Sequence, residues 1–211
     1  LCDYGNINYE LLHKHVKLDL IRVAFHKKDM NEALHECLKI KGLGYDVSVN
    51  AMAITNYTND ELLELITVVN KLDLDILYIA DSFGSLNSDE LLNYLNIFNT
   101  NLINTSIGIH LHNNMNNAFN NFVFSKTVSI KKLFYIDCTL YGMGRGAGNL
   151  QTELVINHNS ITNERLFSMI IFINNNLKKH FNYSLNNWGY DIDYFLAGVL
   201  KIHPNYINKF R

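Results

Sequence analysis

The chain has 211 residues, 48% hydrophobic and 18% charged, with a formal net charge of −2. That length carries one domain with a full core, and the hydrophobic share excludes a disordered chain. The near-neutral balance provides no basic field for nucleic acid or an acidic membrane surface. No apolar run approaches the ~20 residues of a bilayer span, and no signal-peptide pattern opens the chain. Cys2, Cys37 and Cys138 are scattered, with no CxxC pair. This argues against a disulfide framework or a cysteine-ligated metal cluster and makes a reducing cytoplasm the expected compartment. The first residue is Leu1 rather than Met, which leads us to expect a piece of a longer protein.

Short apolar runs alternate with helical stretches, the pattern of parallel βα units. Leu20 to Phe25 is strand-like, and Met30 to Ile40 follows with helical spacing, stopped by Gly42 and Gly44. Tyr45 to Val49 is the next strand; Thr58 and Asp60 offer caps to an amphipathic helix over Glu61 to Leu72. Ile76 to Ala80 is a strand ending in Asp81-Ser82-Phe83-Gly84, after which Ser88 is the expected cap of a helix over Glu90 to Phe98. Ile107 to His112 is a strand, Ala118 to Thr127 a helix, and Leu133 to Asp137 a further strand; Leu1-Cys2-Asp3 reads as the end of another. The repeat is about 30 residues, the size of a βα unit. Such a series closes as a barrel or stays an open doubly wound sheet, and the lack of a GxGxxG after the early strands weakens the dinucleotide-binding version. Because a (β/α)8 barrel takes ~250 residues, the expected fold is α/β, a TIM-type barrel lacking its first two strands. Residues 1–160 would form the barrel part and 161–211 a helical extension.

Three stretches carry chemistry. In Gly108-Ile109-His110-Leu111-His112-Asn113-Asn114, the two histidines are two apart on a strand and project to one side, with Leu111 facing the helices. At a strand end they can bind one divalent cation, with a carboxylate to complete the set; the same pair also suits hydrogen-bonded core histidines. Next comes Gly142-Met143-Gly144-Arg145-Gly146-Ala147-Gly148-Asn149, whose glycines point to close backbone approach or positive φ. There a substrate phosphate or carboxylate can meet backbone N–H groups, with Arg145 as charge partner. Finally, Asp81 can accept a hydrogen bond from a ligand histidine and Ser82 can bind a substrate carboxylate, unless the pair is an ordinary turn. His13, His15 and His26 read as solvated. Asp73 and Asp75 read as surface turn residues, and Tyr190, Tyr194 and Tyr206 as core or interface. Cys138 has no basic neighbours in sequence to make it a nucleophile.

Taken in order, Asp81-Ser82-x-Gly84, His110-x-His112-x-Asn114 and Gly142-x-Gly144-x-Gly146-x-Gly148-Asn149-x-x-Thr152-Glu153 resemble the last three strands of the metal-dependent aldolase and lyase TIM barrels. That family includes hydroxymethylglutaryl-CoA lyase and isopropylmalate synthase. The chain most resembles the 4-hydroxy-2-oxovalerate aldolase branch, where the glycine loop reads Gly-Met-Gly-x-Gly-Ala-Gly-Asn, and the likeness covers roughly residues 1–155. The resemblance implies that His110 and His112 bind the divalent metal, that Ser82 binds the substrate carboxylate, and that Asn149 reaches the metal. Arg145 stands in the region of the catalytic cysteine of the CoA lyases, which counts against that reading. The family's first-strand Arg-Asp-Gly motif, with the third metal ligand and an arginine, is absent here and is expected upstream of Leu1.

The implied activity is cleavage of a 4-hydroxy-2-oxo acid to pyruvate and an aldehyde, or its reverse, through a metal-stabilised enolate. Mn²⁺ is the expected ion, with Mg²⁺ or Zn²⁺ as alternatives. The implied partners are a small-molecule 2-oxo acid and either further copies of the chain or a partner dehydrogenase, with no nucleic acid or membrane. Rival readings are a Claisen-type acyltransferase of the same superfamily and a non-catalytic barrel remnant that binds a ligand or a partner.

Overall fold

The computed structural model describes residues 1–6, 8, 18–159, 162–178 and 188–207. His13 and His15 lie outside the described residues. Six parallel strands form one sheet in strictly sequential order. They are β1 (Cys2–Asp3), β2 (Leu20–Phe25), β3 (Asp46–Ala51), β4 (Ile76–Asp81), β5 (Ser106–Leu111) and β6 (Phe134–Ile136). Between them run α1 (Met30–Gly42), α2 (Asn59–Lys71), α3 (Ser88–Asn101) and α4 (Ala118–Ser125). This is an α/β fold of the type expected for part of a TIM barrel, since strands that each return parallel to their sequence neighbour are the order of a barrel wall. No helix among the described residues is long and apolar enough to cross a membrane.

All five expected strands are present, and β1 occupies the place read for Leu1-Cys2-Asp3. Thr58 caps α2 as anticipated, in a reciprocal box with Glu61. The cap of α3 falls one residue earlier than expected. Asn87 Oδ1 accepts from the Glu90 N–H at 2.9 Å while Glu90 accepts from the Asn87 N–H, and Ser88 instead bonds Asn121. Helix α1 runs through Gly42 and ends where Gly44 N–H bonds the Lys41 carbonyl. Asp75 does more than turn the chain, because its carboxylate accepts from the Val47 N–H at 2.7 Å and ties the start of β3.

The chain forms two compact units. The first comprises 1–81, 92–109 and 128–136; the second comprises 82–91, 110–127 and 137–211. In the first unit the strands divide their side chains by parity. Val47, Val49, Leu77, Ile79, Ile107 and Ile109 are fully buried, each contributing roughly 1.5–3 kcal/mol. The other parity carries polar groups. The Arg22 guanidinium sits 3.7 Å from the Tyr78 ring centroid and reaches Ser48, which pairs with Arg22 in the β2–β3 register. Gly108 on β5 makes room for Tyr78, since a Cβ there would lie 2.4 Å from its ring. His110 follows Gly108 on the same parity.

The second unit holds α4, α5 (Thr152–His158), α6 (Asn163–Phe172), a π-helical turn (Ile173–Leu177), α7 (Ile192–Val199) and α8 (Pro204–Ile207). His158 packs edge-on against Phe119 and Phe122 of α4. Of the C-terminal tyrosines, Tyr194 is buried whereas Tyr190 and Tyr206 are exposed.

Gly108→Ala is expected to lower stability by about 1–3 kcal/mol through overpacking against Tyr78. Urea unfolding checks this; an unchanged midpoint would show that the ring moves aside freely.

Candidate active site

Ser82 follows β4, His110 is the last residue but one of β5, and Asp137 follows β6. The β5–β6 register pairs Ile109 with Ile136, so the next residues, His110 and Asp137, leave neighbouring strand ends together. His110 Nδ1 and Asp137 Oδ2 are 2.9 Å apart. An ionised carboxylate only accepts, so the imidazole donates from Nδ1, and Nε2 is the nitrogen left for another partner.

His112 stands beside it, the two ring centroids 5.1 Å apart and nearly edge to face. Burial above all, then the nearby charges of His110 and Arg145, depress the His112 pKa to about 3, against a hydrogen bond to the Arg145 backbone that pulls it upward. His203, which follows α7, adds to the depression. The ring is therefore uncharged at neutral pH, the form that ligates a metal. Its Nδ1 is buried and has no hydrogen-bond partner among the described residues.

The glycine loop is a built structure. Asn149 forms an antiparallel bridge with His112, the Leu150 N–H bonds the Leu111 carbonyl at 3.0 Å, and the Asn113 N–H bonds the Gly148 carbonyl at 2.8 Å. Gly148 has φ +91, and a Cβ there would meet the Gly142 carbonyl oxygen at 2.2 Å. Asn149 Nδ2 donates to the Met143 carbonyl, whereas its Oδ1 is buried without a partner among the described residues. The fully buried Asn114 joins two loops, its Nδ2 donating to the Phe83 carbonyl and its Oδ1 accepting from the Ala147 N–H, each at 2.9 Å.

The structure thus brings His110, His112 and Asn149 together, with Arg145 within electrostatic reach on an exposed part of the loop. Ser82 begins the turn that Asn114 fastens and is half-buried. Asp81 is the buried last residue of β4 and belongs to the first unit. His26 is exposed, as expected of a solvated residue. Sequence reasoning gave no role to Asp137, Asn114 or Trp188. Asp137 was findable, since it immediately follows β6, the strand next to the one that carries His110.

The donor set suits a divalent metal: two adjacent imidazoles, one neutral through burial and one oriented by a carboxylate, with an unpartnered amide oxygen on the facing segment. Among the described residues no group of three His, Cys, Asp or Glu stands in a ligating arrangement.

Comparison with known proteins decides the family. The HMGL-like family matches residues 15–179. The chain belongs to that family. Among curated relatives, the 4-hydroxy-2-oxovalerate aldolase of Geobacillus genomosp. 3 is 25% identical over 139 residues, which are 66% of this chain and 40% of the relative. That of Bacillus thuringiensis is 28% identical over 137 residues, 65% of this chain and 39% of the relative. The chain therefore spans about 40% of the length of these curated relatives. Among solved structures, the N-terminal domain of a predicted aldolase from Bacteroides vulgatus superposes with TM-score 0.77 at 28% identity, over 91% of this chain and 63% of that one. The Bacillus subtilis HMG-CoA lyase shares the fold at TM-score 0.62 and 15% identity, over 76% of this chain and 64% of that one.

Gly148→Ala adds a side chain where φ is positive and the Gly142 carbonyl blocks it, at an expected cost of about 2 kcal/mol or more. Hydrogen exchange in 139–151 should rise; native protection in this variant would mean that the loop tolerates rearrangement.

Proposed function

We propose that the chain is the metal-holding part of a carbon–carbon lyase that cleaves a 4-hydroxy-2-oxo acid to pyruvate and an aldehyde. The observation that carries the reading is the His110–Asp137 hydrogen bond beside the buried, neutral His112. His110, His112 and Asn149 would hold a divalent ion, with Mn²⁺ favoured and Mg²⁺ or Zn²⁺ as alternatives. When bound, such an ion supplies Lewis acidity at a 2-oxo group.

The chain's own residues do the rest of the assigned work. Asp137 fixes the tautomer and orientation of His110. Ser82 and the Arg145 guanidinium would bind the substrate carboxylate, and the structured glycine loop would fix its orientation through backbone N–H groups. Residues 1–160 would form the barrel part and 161–211 a helical extension. The substrate is a small 2-oxo acid, and any protein partner is a second copy or a dehydrogenase.

A second reading, a ligand-binding barrel without catalysis, is favoured by the absence of a third acidic, cysteine or histidine ligand among the described residues. An assay of the intact protein separates the readings: pyruvate release from a 4-hydroxy-2-oxo acid should require Mn²⁺, cease with chelator and ignore added CoA. Release of free CoA from an acyl-CoA mixed with a 2-oxo acid, without pyruvate release, would favour the acyltransferase; neither reaction under any condition would favour the binding protein.

His110→Ala and His112→Ala are expected to abolish saturable Mn²⁺ binding, and Asp137→Ala to weaken it about 10–100-fold. Electron paramagnetic resonance of free Mn²⁺ measures this, with circular dichroism to verify folding; full affinity in both histidine variants would end the proposal.

A further inference from the structure

Trp188 is the single tryptophan of the chain, and it touches the glycine loop at two points. Its Nε1–H donates to the Tyr141 carbonyl at 2.8 Å. Its indole Cδ1 lies so close to Gly148 that a Cβ there would come within 3.1 Å of it. The Tyr141 and Trp188 rings meet edge to face at 6.2 Å, and Lys178 Nζ lies 5.0 Å from the centre of the Tyr141 ring.

Tyr141 is where such a hold matters. It occupies the left-handed region (φ 57), which a non-glycine side chain enters only when its surroundings compel it. Its two peptide groups are held from opposite ends: the N–H donates to the Glu153 carboxylate at 3.0 Å, and the carbonyl accepts from Trp188. The next carbonyl, that of Gly142, accepts from the Asn149 N–H at 2.9 Å. The turn at Tyr141 therefore sets where Asn149 stands, and Asn149 is the residue that bridges His112. The segment carrying Trp188 is anchored a second time by α7, where Gly198 packs on Met115, three residues after His112.

We propose that Trp188 is a positioning residue of the metal-holding site, clamping the Tyr141–Gly142 turn so that Asn149 stays opposite His112. This rests on the reading of the site given above. It assigns a working role to the C-terminal segment, which supplies none of the metal-donor atoms. Glu153 and Trp188 act as paired restraints on one strained turn, the first through a charge-assisted hydrogen bond and the second through a neutral one together with ring packing.

The test compares wild type, Trp188→Phe, which keeps an aromatic ring and loses the N–H, and Trp188→Ala. Amide exchange is followed in the metal-free chain, and Mn²⁺ alone is then titrated. Loss of one hydrogen bond should accelerate exchange in 139–151 by roughly five- to tenfold in Trp188→Phe, and further in Trp188→Ala. The α2 amides should keep wild-type rates, and Mn²⁺ affinity should fall with the loop protection. Unchanged loop exchange in both variants overturns the proposal. So does acceleration spread evenly over α4, α5 and α7, which would make Trp188 a general stabiliser, and so does loosening of the loop with Mn²⁺ affinity intact. If this chain binds no Mn²⁺, the titration is made on the intact protein, and the clamp is judged by whether acceleration stays confined to 139–151.

Discussion

A hydrogen bond between a carboxylate and an imidazole, Asp137 to His110 at 2.9 Å, is the constraint from which the rest of the site follows. It joins residues 27 positions apart that the parallel pairing of β5 and β6 delivers to neighbouring strand ends. The carboxylate accepts the Nδ1 proton and so fixes the ring's orientation, with Nε2 the nitrogen turned away from it. His112 is kept uncharged by burial, which removes the proton that an exposed imidazole would take up as pH falls. The two rings stand side by side, one oriented by a carboxylate and the other kept uncharged by burial.

The surrounding loops serve that pair. Glycines 142 to 148 allow the chain to fold back until Asn149 bridges His112, and Asn114 ties this loop to the turn containing Ser82. Glu153, Trp188 and the Gly142 carbonyl hold a residue whose backbone would otherwise leave the left-handed region. Conformational cost at Tyr141 is offset by polar groups that converge from two segments of the second unit. Such a loop is pre-organised rather than induced, and pre-organisation is what positioning requires.

Much of this was legible in the sequence. Strand order and placement followed from apolar runs at a βα spacing, because a strand buried on both faces has few other ways to read. The α2 cap was legible because Thr58 and Glu61 interact within one turn. At α3 two adjacent capping residues competed, and geometry chose Asn87 over Ser88. The histidine pair was visible through strand parity alone, whereas its carboxylate partner was not, since the choice between Asp81 and Asp137 as a neighbour depends on pairing register. Trp188 stands farther from any motif. Its contact with Tyr141 spans 47 positions and has no periodic signature.

The central claim is a statement about protons, so the direct measurement is of protons. Long-range ¹H–¹⁵N correlation spectra of the histidine rings at neutral pH should show His110 as the Nδ1–H tautomer and His112 uncharged. A His110 without a proton on Nδ1, or a His112 that takes up a second proton near the ordinary imidazole range, would contradict the account.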